Sequence, residues 1–187
     1  MNETLLYAFR AITDIAAMLL LIRFLLQWVG ADFYNPVSQG ILKICSPIIR
    51  PLEKIIPSFG RFNLSVLVAA LLIKWSFFVV MAMAKGVLSA GIFAFIAWAG
   101  FELLRTLVEI YFWGIFILVV FSWVGTPPHP AAGLVHQVIS PYMEPFRRLI
   151  PPLGMIDLSP MAAIFSLMFI RAKILPLIGM QITPFLM

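Results

Sequence analysis

The sequence predicts an all-α polytopic membrane protein built from two tandem parallel repeats. Each repeat is a span, a pair of proline-kinked amphipathic interfacial helices and a second span, giving four transmembrane helices in total. Three observations predict this. Of the 187 residues, 63% are hydrophobic and 11% charged, against about 45–50% and about 25% in an ordinary soluble domain, so a water-facing globule would lack polar surface. Apolar windows of about 20 residues, each long enough to cross the hydrocarbon as a helix, recur along the chain. The third observation is that the chain is written twice.

Aligning Trp28-Val29-Gly30 with Trp123-Val124-Gly125 also pairs Arg10 with Arg105 and Asp14 with Glu109. One residue is lost in the following loop. From there Pro47, Pro51, Pro57, Gly60 and Ser65 meet Pro141, Pro145, Pro151, Gly154 and Ser159, while Asn63 meets Asp157 and Lys54 meets Arg148. Several prolines in one frame mark a duplication. The first repeat is read as residues 1–86 and the second as 101–187, joined by a connecting apolar segment, 87–100. That segment is short for a span and is expected to lengthen a neighbouring helix or lie in the interface. With two spans per repeat, both repeats point the same way across the membrane.

The first apolar stretch, residues 4–29, lacks a positive leader and a small-x-small cleavage site, so it is expected to be a retained span. The segment after it, "SPIIRPLEKIIPSFG", returns as "SPYMEPFRRLIPPLG". At 100° per residue Ile48, Ile49, Leu52, Ile55 and Ile56 share an arc of about 120°, with Arg50, Glu53 and Lys54 opposite. Tyr142, Met143, Phe146, Leu149 and Ile150 form the same arc in the second copy, with Glu144, Arg147 and Arg148 across from it. A narrow apolar face and a basic polar face predict helices in the headgroup plane. Pro47 and Pro51 each remove a backbone donor and clash in a helix interior, so two short helices meeting near Ser46-Pro47 are expected. Pro57 with Gly60 ends the second of them, and Asn63, Ser65 or Ser159 with Pro160 caps the next span.

These segments, "NPVSQGILKICSPIIRPLEKIIPSFGRFNLS" and "HPAAGLVHQVISPYMEPFRRLIPPLGMIDLSP", resemble the YggT family. The family's unit is two spans around a "P…TxPxxxPxRrxiPxxGxxDxSP" segment, and the resemblance covers nearly the whole chain. Cys45-Ser46 and Ile139-Ser140 depart from it at the usual threonine region. Asn63 stands for the aspartate and Val66 for the final proline in the first copy, so the second copy is the more typical. The resemblance implies a bacterial inner-membrane or plastid protein linked to osmotic tolerance, cell division or membrane-complex assembly, without a settled activity.

Charges inside spans are the sharpest pointers to function, at about 2.5–3.5 kcal/mol each at a helix centre. Arg10, Arg23 and Arg105 lie near enough to span ends to snorkel. Asp14, Lys74 and Glu109 lie nearer the midplane. Arg10/Asp14 and Arg105/Glu109 are i,i+4 pairs. Lys74 has no such neighbour and is expected to meet Asp14 or Glu109 between helices. Such a pair relays protons or cations, or it fixes helix register; the match of acids to bases favours register.

Cys45, the only cysteine, excludes an internal disulfide and reads as an apolar filler. His129 and His136 read as interfacial rather than metal-binding, for want of convergent ligands. Trp28 and Trp123 read as interface anchors. No phosphate-binding glycine loop, Ser/His/Asp set or haem-attachment motif is present, so neither an enzyme nor a cofactor is expected. The net charge of +5 points to anionic headgroups rather than to nucleic acid, for which no water-exposed basic domain exists. The favoured function is a non-catalytic scaffold or assembly protein of the bacterial inner membrane. Arg50, Lys54, Arg147 and Arg148 would dock lipids or partner membrane proteins, or serve self-association. A small ion channel or transporter using Asp14, Lys74 and Glu109 is the alternative. The cation bias of the interfacial segments places them in the cytoplasm and both termini in the periplasm.

Overall fold

The computed structural model describes residues 3–86, 94–125, 129–150 and 157–182. Pro151 and Gly154, and residues 87–93 of the connecting segment, lie outside them. The helices are α1 (Glu3–Val29), α2 (Pro36–Glu53), α3 (Leu64–Lys85), α4 (Ala94–Val124), α5 (Pro130–Leu149), α6 (Ser159–Phe169) and α7 (Leu175–Ile182). A π-helical turn, Ile170–Ile174, joins the last two. Among the described residues four stretches are long and apolar enough to cross a membrane: Glu3–Val29, Leu64–Lys85, Ala94–Phe121 and Ser159–Ile182. The chain is an all-α polytopic membrane protein.

Small residues let the spans approach closely, as expected where lipid offers no hydrophobic drive. Ala17 of α1, Ala69 and Ala70 of α3 and Ala163 of α6 are fully buried, together with Leu20, Phe24 and Leu25. α1 ends in a Schellman motif. Gly30 takes φ +67, its N–H bonds Gln27 O at 3.2 Å and the Ala31 N–H bonds Leu26 O at 2.9 Å. The Arg61 guanidinium lies where a Cβ on Gly30 would stand. Gly125 repeats the positive φ at the end of α4.

Residues 94–100 are the first turns of α4, so this part of the connecting segment lengthens a neighbouring helix, one of the two outcomes expected of it, and the span begins well before residue 101. Two features differ from the sequence reading. The proline-rich segments are continuous rather than divided: α2 runs through Pro47 and Pro51, and α5 through Pro141 and Pro145. All four prolines sit on the exposed face, where the carbonyls that lose their donors can be solvated, so the prolines cost less than in a packed interior. Finally, the apolar faces are spent on protein as well as lipid. Cys45 and Ile49 of α2, and Leu134, Val138, Ile139 and Met143 of α5, join one core with the spans. Ile55 and Ile56 lie past the end of α2, and Ile55 is exposed.

The duplication extends to several of the bonds. Asn35 Oδ1 and His129 Nδ1 accept from the backbone N–H two residues on, capping α2 and α5. The Ser65 and Ser159 hydroxyls are not caps; each donates back to the segment before its span, to Ile56 O at 3.0 Å and Ile150 O at 3.4 Å. Asn63 holds the cap position of α3 without a side-chain cap bond, whereas Asp157 accepts from the Ser159 N–H at 2.9 Å.

α5 crosses α4 at Gly114. A Cβ there would stand 2.5 Å from Ile139 Cδ1 and 2.9 Å from Cγ1. Gly114→Ala is therefore expected to lower the thermal midpoint of the detergent-solubilised protein by the equivalent of about 1–3 kcal/mol. Adding Ile139→Val removes the nearest atom and should recover part of that loss. An unrelieved double variant would place the strain elsewhere.

Candidate functional site

Lys74 lies ten residues from the start of α3, and Asp14 eleven from the start of α1, about 15 Å along the helix axis at 1.5 Å per residue. The Lys74 side chain is only 4% exposed. Its ammonium donates to Asp14 Oδ1, and Glu102 Oε2 stands 3.9 Å away on α4. One cation thus joins α1, α3 and α4. Glu102 is hidden in the sequence by the late start assigned to its span; in the structure it lies eight residues inside α4.

The second repeat solves the same problem differently. Glu109 does not pair with Arg105, as the i,i+4 spacing suggests, nor with Lys74. It forms an ion pair with Arg171, Nε to Oε1 2.9 Å, while Arg105 lies 3.6 Å from Glu102. Arg171 belongs to the π-helical turn and stacks on Phe112 at 4.4 Å. Pro176, which cannot donate a backbone bond, follows directly, and Leu175 N–H reaches back to Ile170 O. Arg10 lies 3.7 Å from Asp14 and 6.0 Å from the Phe77 ring.

Two cavities border this charge belt. One, of 320 Å³, is walled by Arg10, Asp14, Lys74, Glu102, Arg105 and Glu109. The other, of 510 Å³, shares Arg105 and Glu109 and reaches Arg171 and Pro176.

Arg23 does not snorkel. It is buried beneath α2, with Nη2 3.6 Å from Glu53 Oε1, and among the described residues its Nε and Nη1 have no hydrogen-bond partner. Asn63 donates to the same Glu53 oxygen at 3.0 Å. At the equivalent positions of the second repeat Arg147 meets Asp157 at 3.9 Å, and Leu118 stands in place of Arg23. Burial raises the pKa of the Cys45 thiol, and the Arg23 charge opposes that rise.

The outer faces of α2 and α5 carry exposed Arg50, Lys54, Arg147 and Arg148. Among the described residues Arg50 and Lys54 form no ion pair, whereas Arg148 bonds Glu144 at 3.0 Å. His129 is spent as a cap, and His136 Nδ1 lies 3.3 Å from Ser140 Oγ. Among the described residues no group of three His, Cys, Asp or Glu could hold a metal.

The repeated proline segments and paired spans match the CCB3/YggT family model twice, over residues 2–84 and 97–178. The chain belongs to the CCB3/YggT family. It is 34% identical to the uncharacterized protein YggT of Escherichia coli K12 over 97% of this chain and 96% of that protein. It is 36% identical to an uncharacterized protein of Pseudomonas aeruginosa, over 91% of this chain and 87% of the relative. A Vibrio alginolyticus protein is 34% identical over 89% and 90%. No solved structure matches. The two matched segments coincide with the two structural repeats.

Breaking one side of a fully buried pair costs about 3–5 kcal/mol, because the surviving charge is uncompensated. Asp14 keeps Arg10 at 3.7 Å and Glu102 keeps Arg105 at 3.6 Å, so Lys74→Ala should destabilise by somewhat less, about 2–3 kcal/mol, whereas Lys74→Met with Asp14→Asn should recover much of it in thermal unfolding. A Lys74→Met variant of ordinary stability would show that the pair does not fix register, and ordinary activity as well would show that it relays no charge.

Proposed function

We propose that the protein is a non-catalytic scaffold of the bacterial inner membrane. In this reading it docks anionic headgroups or partner membrane proteins on the basic faces of α2 and α5 and contributes to osmotic tolerance or membrane-complex assembly. The observation that carries this reading is the exposed quartet Arg50, Lys54, Arg147 and Arg148, presented by two equivalent helices whose other face is anchored in the core. Such a surface attracts anionic lipid by about 1 kcal/mol per cation.

With the protein held in zwitterionic nanodiscs, Arg50→Gln with Lys54→Gln should weaken flotation with anionic vesicles by about 2 kcal/mol. Arg147→Glu with Arg148→Glu should weaken it further, and both variants should fail an osmotic-stress complementation. Unchanged binding and unchanged protection would remove these four residues from the reading.

A second reading, a small ion channel or transporter, is favoured by the two cavities beside the Lys74 belt. Ion flux in proteoliposomes separates the two: flux lost in the stable Lys74→Met, Asp14→Asn variant supports transport, and its absence in the native protein supports the scaffold.

Lys43, Arg50, Lys54, Arg61, Arg147 and Arg148 all lie in the segments that carry α2 and α5, so the positive-inside bias assigns this end to the cytoplasm. The raised pKa of the buried Cys45 keeps its thiolate fraction low at neutral pH, so an introduced cysteine dominates labelling. A C-terminal cysteine should react with impermeant maleimide in intact cells; protection there would invert the topology.

A further inference from the structure

Between the repeats lies a groove of 430 Å³, whose walls include Met18, Ile22 and Leu26 of α1, Ile110 and Trp113 of α4 and Val138 of α5. Its lining is almost wholly apolar except at one end. There Met18, Thr106 and Glu109 also line the 320 Å³ cavity that holds Arg10, Lys74 and Arg105. The two adjoin across these three residues and together make a chamber that is apolar at the α5 end and charged at the other. That is the outline of an amphiphile.

The charge balance selects its head. The 320 Å³ cavity is lined by three cations, Arg10, Lys74 and Arg105, and three acids, Asp14, Glu102 and Glu109, but Arg171, from the neighbouring 510 Å³ cavity, neutralises Glu109, which leaves the cations of the site one ahead. Lys74 occupies Asp14, and Arg171 occupies Glu109. Arg10 and Arg105, equivalent in the two repeats, lie 3.7 and 3.6 Å from their nearest carboxylates, longer than a hydrogen bond. Both are more than half exposed, and a guanidinium presents five donors suited to a phosphate. A zwitterionic head would bring an ammonium to carboxylates already engaged. The depth agrees as well. Arg10 lies seven residues from the start of α1, about 10 Å along the axis, and the groove continues from there toward Leu26, as an acyl chain would.

We infer that this chamber binds one anionic phospholipid, its phosphate between Arg10 and Arg105 and an acyl chain in the groove against α5. The site is separate from the basic outer faces of α2 and α5 and shares no residue with them.

Native mass spectrometry of the purified protein with added phosphatidylglycerol or phosphatidylcholine tests the site. One phosphatidylglycerol per chain should be retained, at least tenfold more tightly than phosphatidylcholine. Arg10→Gln with Arg105→Gln should abolish that preference, and Arg50→Gln with Lys54→Gln should leave it intact. Phosphatidylglycerol brominated in its chains should quench tryptophan fluorescence more than the choline lipid, and Trp113→Phe should remove the difference. This comparison begins with the native protein, so it stands even where the arginine variant fails to fold. Equal retention and equal quenching by the two lipids overturn the assignment. So does displacement of the retained lipid by millimolar inorganic phosphate, which would make the site one for the free ion.

Discussion

An ammonium group that cannot reach water has to be neutralised where it stands. Lys74 sits in the middle of an otherwise apolar helix, and Asp14 and Glu102 reach it from two neighbouring helices, one in each repeat. The same contact that neutralises the charge therefore fixes the register of α1 against α3 and brings α4 alongside. Sliding any of these helices by a turn would leave carboxylate and ammonium unpaired at a depth where each is costly. The close packing of alanines along the helices is compatible with several registers; the charge selects one.

The second repeat carries the same constraint with different parts. Its acid, Glu109, is equivalent to Asp14, but position 168, equivalent to Lys74, is a methionine. The cation comes from Arg171, one turn later. The π-helical turn and Pro176 lie at this displaced position. The two halves are alike in the bonds that tie α2 and α5 to the following spans, and unlike in how each acid is satisfied. The buried Arg23 is a further difference. It compensates Glu53, whereas the second repeat places Arg147 opposite Asp157 at those positions and has no buried arginine above them.

This division separates two polar regions. Toward one end, α2 and α5 turn basic faces outward while their apolar faces close the core. Deeper in, the charge belt opens into cavities and meets the apolar groove between the repeats. The outer region favours extended, exchangeable contacts with headgroups or partners. The inner one is a bounded groove and suits a single occupant. The scaffold reading uses the first and a bound lipid would use the second, so they place independent demands on the sequence.

Period and spacing alone reveal the spans, the duplication, the proline-marked segments and the depth of Asp14 and Lys74, because these depend on hydrophobicity and on 3.6 residues per turn. Other features depend on what lies opposite. Arg105 and Glu109 are spaced to pair along one helix, yet the neighbouring Arg171 offers Glu109 a 2.9 Å contact and takes it. Glu102 looks terminal until residues 94–100 extend α4 and carry it into the bundle. The prolines of α2 and α5 promise breaks, but their exposed side removes the penalty that would enforce one. The position of Arg23 near a span end suits snorkelling, but α2 folds over it. A helix period states which side chains share a face; the helix that comes to rest against that face, and at what height, is set by packing across the whole bundle.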